Sequence, residues 1–97
     1  MAEEGFIQMY VRDFTLMAAR AETGQDVEAA LTRRVREARD HAVIMDARKT
    51  PGHLDAVIER VREESQRKLF PGRGPDTPEE RQRRGDFLTR VAEMLGA

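Results

Sequence analysis

From Ile7 to Leu95 the apolar residues return at steps of three and four along four separate stretches, and this period constrains the fold more than any other feature. Side chains spaced this way line one face of an α-helix, because successive residues turn by about 100 degrees around its axis. The first stretch predicts a helix over residues 2–21, with Ile7, Tyr10, Val11, Phe14, Met17, Ala18 and Ala21 as its stripe. Phe6, Met9 and Leu16 widen that stripe beyond the face a single neighbour would cover. Glu22-Thr23-Gly24 ends the helix, with the glycine placed where a left-handed C-terminal residue is needed.

A second helix is predicted over 25–48. Val27, Leu31, Val35, Ala38, Ala42 and Met45 hold its inward line, while Arg33, Arg36, Arg39 and Asp40 lie opposite. Near its end Ala42, Val43, Ile44 and Met45 form an unbroken apolar run, which sets Val43 and Ile44 on the otherwise charged face. Such a pair calls for a cover: a partner, or another helix or local bend of the same chain.

Thr50-Pro51 reads as a cap followed by a first-turn proline, opening a third helix over 51–69 with Leu54, Val57, Ile58, Val61 and Leu69 as its stripe. Glu63 with Arg67 and Glu64 with Lys68 are four apart in the favourable order, and support the helix rather than a function. Residues 70–76 hold two prolines and two glycines and form a connection. Thr77-Pro78 repeats the cap signature, with Glu80 placed to bond back to the cap's own amide, and opens a fourth helix over 78–96. Its polar first half, Glu79 to Arg84, is expected to project into solvent, whereas Phe87, Leu88, Val91, Met94 and Leu95 can dock. Gly85 is expected to weaken it midway.

These elements describe an all-α, four-helix bundle-like single domain over residues 1–97. Short connections make the first three helices antiparallel to their neighbours and leave the placement of the fourth open.

Composition excludes several classes of function. The 17 basic and 18 acidic residues nearly cancel, so the chain is neither a polycation nor a polyanion. It has no cysteine, which fits a reducing, cytoplasmic setting. Glu3, Glu4, Arg12 and Asp13 break up the N-terminal apolar residues, unlike a signal peptide, and no run is long enough to span a membrane. Fifteen arginines against two lysines suggest a GC-rich bacterial source.

Acid–base and metal chemistry are short of material, since His41 and His53 are the only histidines. Glu37 and His41 share a helix face but would need His53 or Asp46 to complete a metal site, so no metal, cofactor or catalytic residue is expected. Ser65, the one serine, falls on an inward line with no histidine a turn away, as a small core residue would. Arg48, Lys49, Thr50 and Gly52 gather charge and free amides, an arrangement that a capped, solvated turn explains. Arg84-Gly85-Asp86 spells an adhesion tripeptide that, in a helical chain, is read as chance.

Nucleic acid is the second class of partner considered. Residues 31–50 carry six cations and three acids, with Arg33, Arg34, Arg36 and Arg39 as candidate contacts, but the acids interleave on the same helix and blunt phosphate attraction. If Ile7 to Val11 were instead a strand, Gln8, Tyr10 and Arg12 would share one face. In that form residues 6–39 resemble ribbon-helix-helix repressors and antitoxins, which implies a dimer that reads DNA with the strand. Ala18-Ala19-Arg20-Ala21 and the spacing from Ile7 favour continuous helix.

The expected function is therefore a non-enzymatic interaction or regulatory protein, binding a protein partner or itself as a homo-oligomer. Phe6, Met9, Leu16, Val43 and Ile44 are the expected interface.

Overall fold

The computed structural model describes residues 3–48, 50–66 and 77–97. Four helices account for most of them: α1 Glu4–Glu22, α2 Glu28–Arg48, α3 His53–Ser65 and α4 Pro78–Gly96. Residues 7–11 lie inside α1, so the strand alternative and its ribbon-helix-helix resemblance are set aside. None of the helices is long and apolar enough to cross a membrane among the described residues.

Three of the helix termini follow from local chemistry, and the start of one helix is an exception. After α1, Thr23 closes the helix and Gly24 takes a φ of 90°; Gly24 N–H bonds Ala21 O and Gln25 N–H bonds Arg20 O, the paired bonds of a Schellman ending. Asp26 caps the start of α2 by accepting the Glu28 N–H at 3.1 Å. Thr77 accepts the Glu80 N–H at 3.1 Å with Pro78 in the first turn, as the motif predicts, although among the described residues Glu80 makes no return bond to the Thr77 amide.

The exception is α3. Its cap is not Thr50, and Pro51 is not its first residue; Gly52 occupies the cap position with a φ of 108°, a conformation that favours glycine. The capping acceptor comes instead from α2, where Asp46 Oδ1 accepts the His53 backbone N–H at 3.1 Å. The expected last turn of this helix and the pairs formed by Arg67 and Lys68, like Leu69, Lys49 and the connection over 70–76, lie outside the described residues.

Cross-contacts give the helix directions. Phe6 meets His41 and Asp13 meets Arg34, so α1 and α2 are antiparallel. Glu3 reaches His53 at the start of α3, while Met9, Arg12 and Leu16 share a groove with Arg60 and Glu64 farther along it, so α1 and α3 run parallel. Gly85 lies against Ser65 and Gly96 against Ile58, so α4 returns antiparallel to α3. The result is an up-and-down bundle with α4 placed against α3 and α1.

One continuous core joins all four helices through Phe14, Leu31, Val57, Val61, Leu88, Val91 and Leu95, each fully buried. Of the helix pairs, α1 and α2 approach least closely, because Phe6, Tyr10, Arg34 and His41 stand between them. At the opposite extreme α3 and α4 pack backbone to backbone. A Cβ at Gly85 would lie 2.9 Å from the Ser65 carbonyl oxygen, closer than real contacts allow. The midway glycine is thus a requirement of packing rather than a weakness. Gly85→Ala should destabilise the fold by about 1–3 kcal/mol despite alanine's better helix propensity, measured by urea unfolding. A more stable Gly85→Ala protein would show that the two helices do not pack this closely.

The polar opening of α4 also departs from expectation. Gln82 and Arg83 face solvent, but Arg84 is 1% exposed and ion-paired with Glu22, whose side chain is 3% exposed, Nε to Oε2 at 3.3 Å. The Arg84-Gly85-Asp86 tripeptide is accordingly helical, with its arginine inside the protein.

Candidate interaction surfaces

The titratable side chains with the most defined surroundings are used to hold helices together. His53 is fully buried against the Phe6 ring, whose centroid is 5.3 Å away at 90°. The Glu3 backbone N–H points at Nε2 at 3.1 Å, so that nitrogen is the acceptor and the ring hydrogen sits on Nδ1, 2.7 Å from Asp46 Oδ1. A single imidazole thereby ties the start of α1, the end of α2 and the start of α3.

Asp46 accepts from both the backbone and the ring of His53, and these bonds hold its carboxyl below the ordinary aspartate range. A depressed native value means that the stabilisation is complete above the unfolded value, about 3.9, and is lost as pH falls through the native one. The stability difference between wild type and Asp46→Asn should therefore be smaller below about pH 4 than at pH 7, read from urea unfolding at each pH. A difference that stays constant down to pH 2 would mean that Asp46 does not carry these bonds.

His41 is half-buried between α1 and α2, where Nδ1 lies 3.0 Å from the Tyr10 hydroxyl. That hydroxyl also reaches Glu37 O at 3.4 Å, and burial raises its pKa against the opposing pull of Arg34. Glu37 turns its carboxylate to Arg34 rather than to His41, so the four residues weighed as a metal site divide into separate pairings. No group of three or more metal-capable side chains is gathered among the described residues. Ser65 is half-buried and donates to Arg62 O at 2.6 Å.

Of the four arginines weighed for nucleic acid, Arg34 belongs to the fold. It donates to Asp13 from Nε at 3.0 Å and from Nη2 at 2.5 Å, bonds Glu37 at 2.7 Å, and stands 4.3 Å over the Tyr10 ring. Arg33, Arg36 and Arg39 are exposed and, among the described residues, have no acidic partner at ion-pair distance. Arg90, on α4, forms a two-pronged pair with Glu28 at the start of α2.

The five expected interface residues do not form one surface. Phe6 is 5% exposed and belongs to the core, because its ring fills the space between His41, His53 and Tyr10. Met9, 37% exposed, and Leu16, 49%, lie on α1 along a groove of about 570 Å³ that Arg12 shares with Arg60 and Glu64 of α3. Val43, 70% exposed, and Ile44, 51%, stand on α2, uncovered by any other described helix. The bundle therefore does not resolve the apolar run of α2 internally.

The sequence-level reading missed Arg84 with Glu22 and the triple tie at His53. A signal for the first was the glycine beside Arg84, which marks a close helix approach. Comparison with family models, with curated proteins and with solved structures finds no match to this chain.

Proposed function

We propose that the chain is a non-enzymatic interaction module that binds a protein partner, a second copy included, through apolar side chains left exposed on its helices. The observation that carries this reading is the adjacent pair Val43 and Ile44, 70% and 51% exposed at the end of a helix whose inner line is fully occupied in the core. Both histidines are engaged in bonds between helices, which favours recognition over acid–base work. A cytoplasmic, bacterial and regulatory setting belongs to the same proposal, supported by the cysteine-free composition and the arginine bias.

The test compares wild type with Val43→Asp/Ile44→Asp and with Met9→Asp/Leu16→Asp. Sedimentation velocity reports self-association, and retention of host proteins on the immobilised chain reports partners. The reading expects at least one pair to abolish an association while circular dichroism stays native. A strict monomer whose partner binding neither pair alters would remove its support.

A second reading, nucleic-acid binding, is favoured by the exposed Arg33, Arg36 and Arg39, which have no acidic partner at ion-pair distance among the described residues. A mobility shift that weakens steeply with salt is its expected signature. Arg34, held by Asp13 and Glu37, is the least available of the four arginines for such a contact.

A further inference from the structure

The outward face of α2 repeats the spacing of its inward face. Leu31, Val35, Ala38 and Ala42 form the buried line, and Ala29, Arg33, Arg36, Asp40, Val43 and Ala47 recur at steps of three and four on the other side, with Ile44 beside Val43, all exposed. At about 100 degrees per residue these seven positions fall within an arc of roughly 100 degrees, centred opposite the core line. Such an arc is the width of the stripe that a helix presents to a packed neighbour. The face is divided by chemistry along its length: cationic in its first half, apolar in its second.

We infer that the outer face of α2 docks an acidic amphipathic helix, whose carboxylates meet Arg33 and Arg36 and whose apolar side chains cover Val43, Ile44 and Ala47. This inference rests on the interaction reading above and names the partner's chemistry. Arg33 and Arg36 have no ion-pair partner among the described residues, and Arg39 flanks them on the edge toward α4, in a groove with Met94. A carboxylate brought to them gains a counter-charge without breaking an existing pair.

A second copy of the chain fits this face less well. Placed parallel, it sets Arg33 on Arg33 and Arg36 on Arg36. Placed antiparallel about Val43 and Ile44, it overlaps only the last turns of α2 and leaves both arginines uncovered. Nucleic acid fits less well too, because a phosphate backbone offers nothing apolar to Val43 and Ile44 and carries its charge past Asp40, opposite which the partner helix places no carboxylate.

The partner helix must span the arc from Ala29 to Ala47, which is about 27 Å and takes roughly 18 residues. The probes are therefore two synthetic helical peptides of about that length. One carries glutamates along the first half of its contact stripe and leucines along the second, in the orientation that matches α2; the other has lysines for the glutamates. Binding to the full chain is read by fluorescence anisotropy.

The acidic peptide should bind saturably and at least about tenfold more tightly than the lysine peptide, a preference that narrows as salt rises. Val43→Asp/Ile44→Asp should weaken it by about tenfold or more, and Arg33→Glu/Arg36→Glu should reverse the preference between the two peptides. Equal binding of both peptides, abolished by Val43→Asp/Ile44→Asp, would overturn the acidic partner and leave the interaction surface standing. Binding indifferent to Val43→Asp/Ile44→Asp would overturn both. No binding of the acidic peptide would also overturn the inference, in favour of a second copy if sedimentation shows a dimer, or of nucleic acid if a duplex binds through the same arginines. Native circular dichroism of each variant separates these outcomes from unfolding.

Discussion

Replacing Arg84 with alanine should cost the protein about 3–5 kcal/mol, the range for removing one member of a buried ion pair. The guanidinium and the Glu22 carboxylate are almost wholly out of water, at 1% and 3% exposure, and each lies on a different helix. Deleting the cation removes the Arg84 counter-charge from Glu22 at the junction of α1 with α4, in a region too enclosed for water to replace it fully. Urea unfolding measures the loss. The informative companion is Glu22→Leu/Arg84→Met, which exchanges the pair for apolar groups of similar volume and should recover most of the stability. Should Arg84→Ala unfold like wild type, the pair would be solvated rather than buried.

His53→Ala should be nearly as damaging, at about 3 kcal/mol or more. Loss of a fully buried ring opens a cavity beneath Phe6. It also strips the acceptor from the Glu3 N–H and one of the donors from Asp46, which removes a tie among three helices. His53→Phe separates the two contributions, since it refills the space without the bonds and should recover only the packing part. Thermal unfolding of both variants checks this; a 97-residue chain should lose about 4–8 °C for each kcal/mol. A His53→Phe protein as stable as wild type would mean that the imidazole bonds contribute nothing.

These two sites are also where sequence reasoning stops, and the reason is the same for both. Caps written in consecutive residues are legible: Thr77-Pro78 opens α4 and Gly24 closes α1 because the bonds involved close within one turn of chain. The cap of α3 is not, because its acceptor, Asp46, sits seven residues back in another helix, and a local motif at Thr50-Pro51 competes for the assignment. Periodicity placed Leu31, Val57, Val61 and Leu88 in the core, since apolar stripes need no knowledge of their partners. Arg84 escaped it because a charged residue enters a core only with a counter-charge, and Glu22 is remote in sequence.

The candidate surfaces divide in the same way. Val43 and Ile44 were legible as outward residues, because a helical period allots every position an angle. Phe6 was not, since it lies within the broad stripe of α1 and only the arrangement of two histidines from other helices decides that its ring is enclosed. Asp13 and Glu37 pair with Arg34, and among the described residues Arg33, Arg36 and Arg39 have no acidic partner at ion-pair distance, a division that residue spacing alone does not give. The unpaired arginines beside an exposed apolar pair are thus a property of the folded molecule.

The claim on which the functional reading stands is that the fold itself makes no use of the outer face of α2. Urea unfolding of Val43→Gln/Ile44→Gln, run at two protein concentrations, tests it most directly, because glutamine keeps the helix propensity while removing the apolar surface. The account predicts a stability within about 0.5 kcal/mol of wild type at the lower concentration, where the chain is isolated, any further difference at the higher one reporting self-association. A loss of about 2 kcal/mol or more at the lower concentration would contradict it, by showing that these side chains are buried in the protein's own folded state.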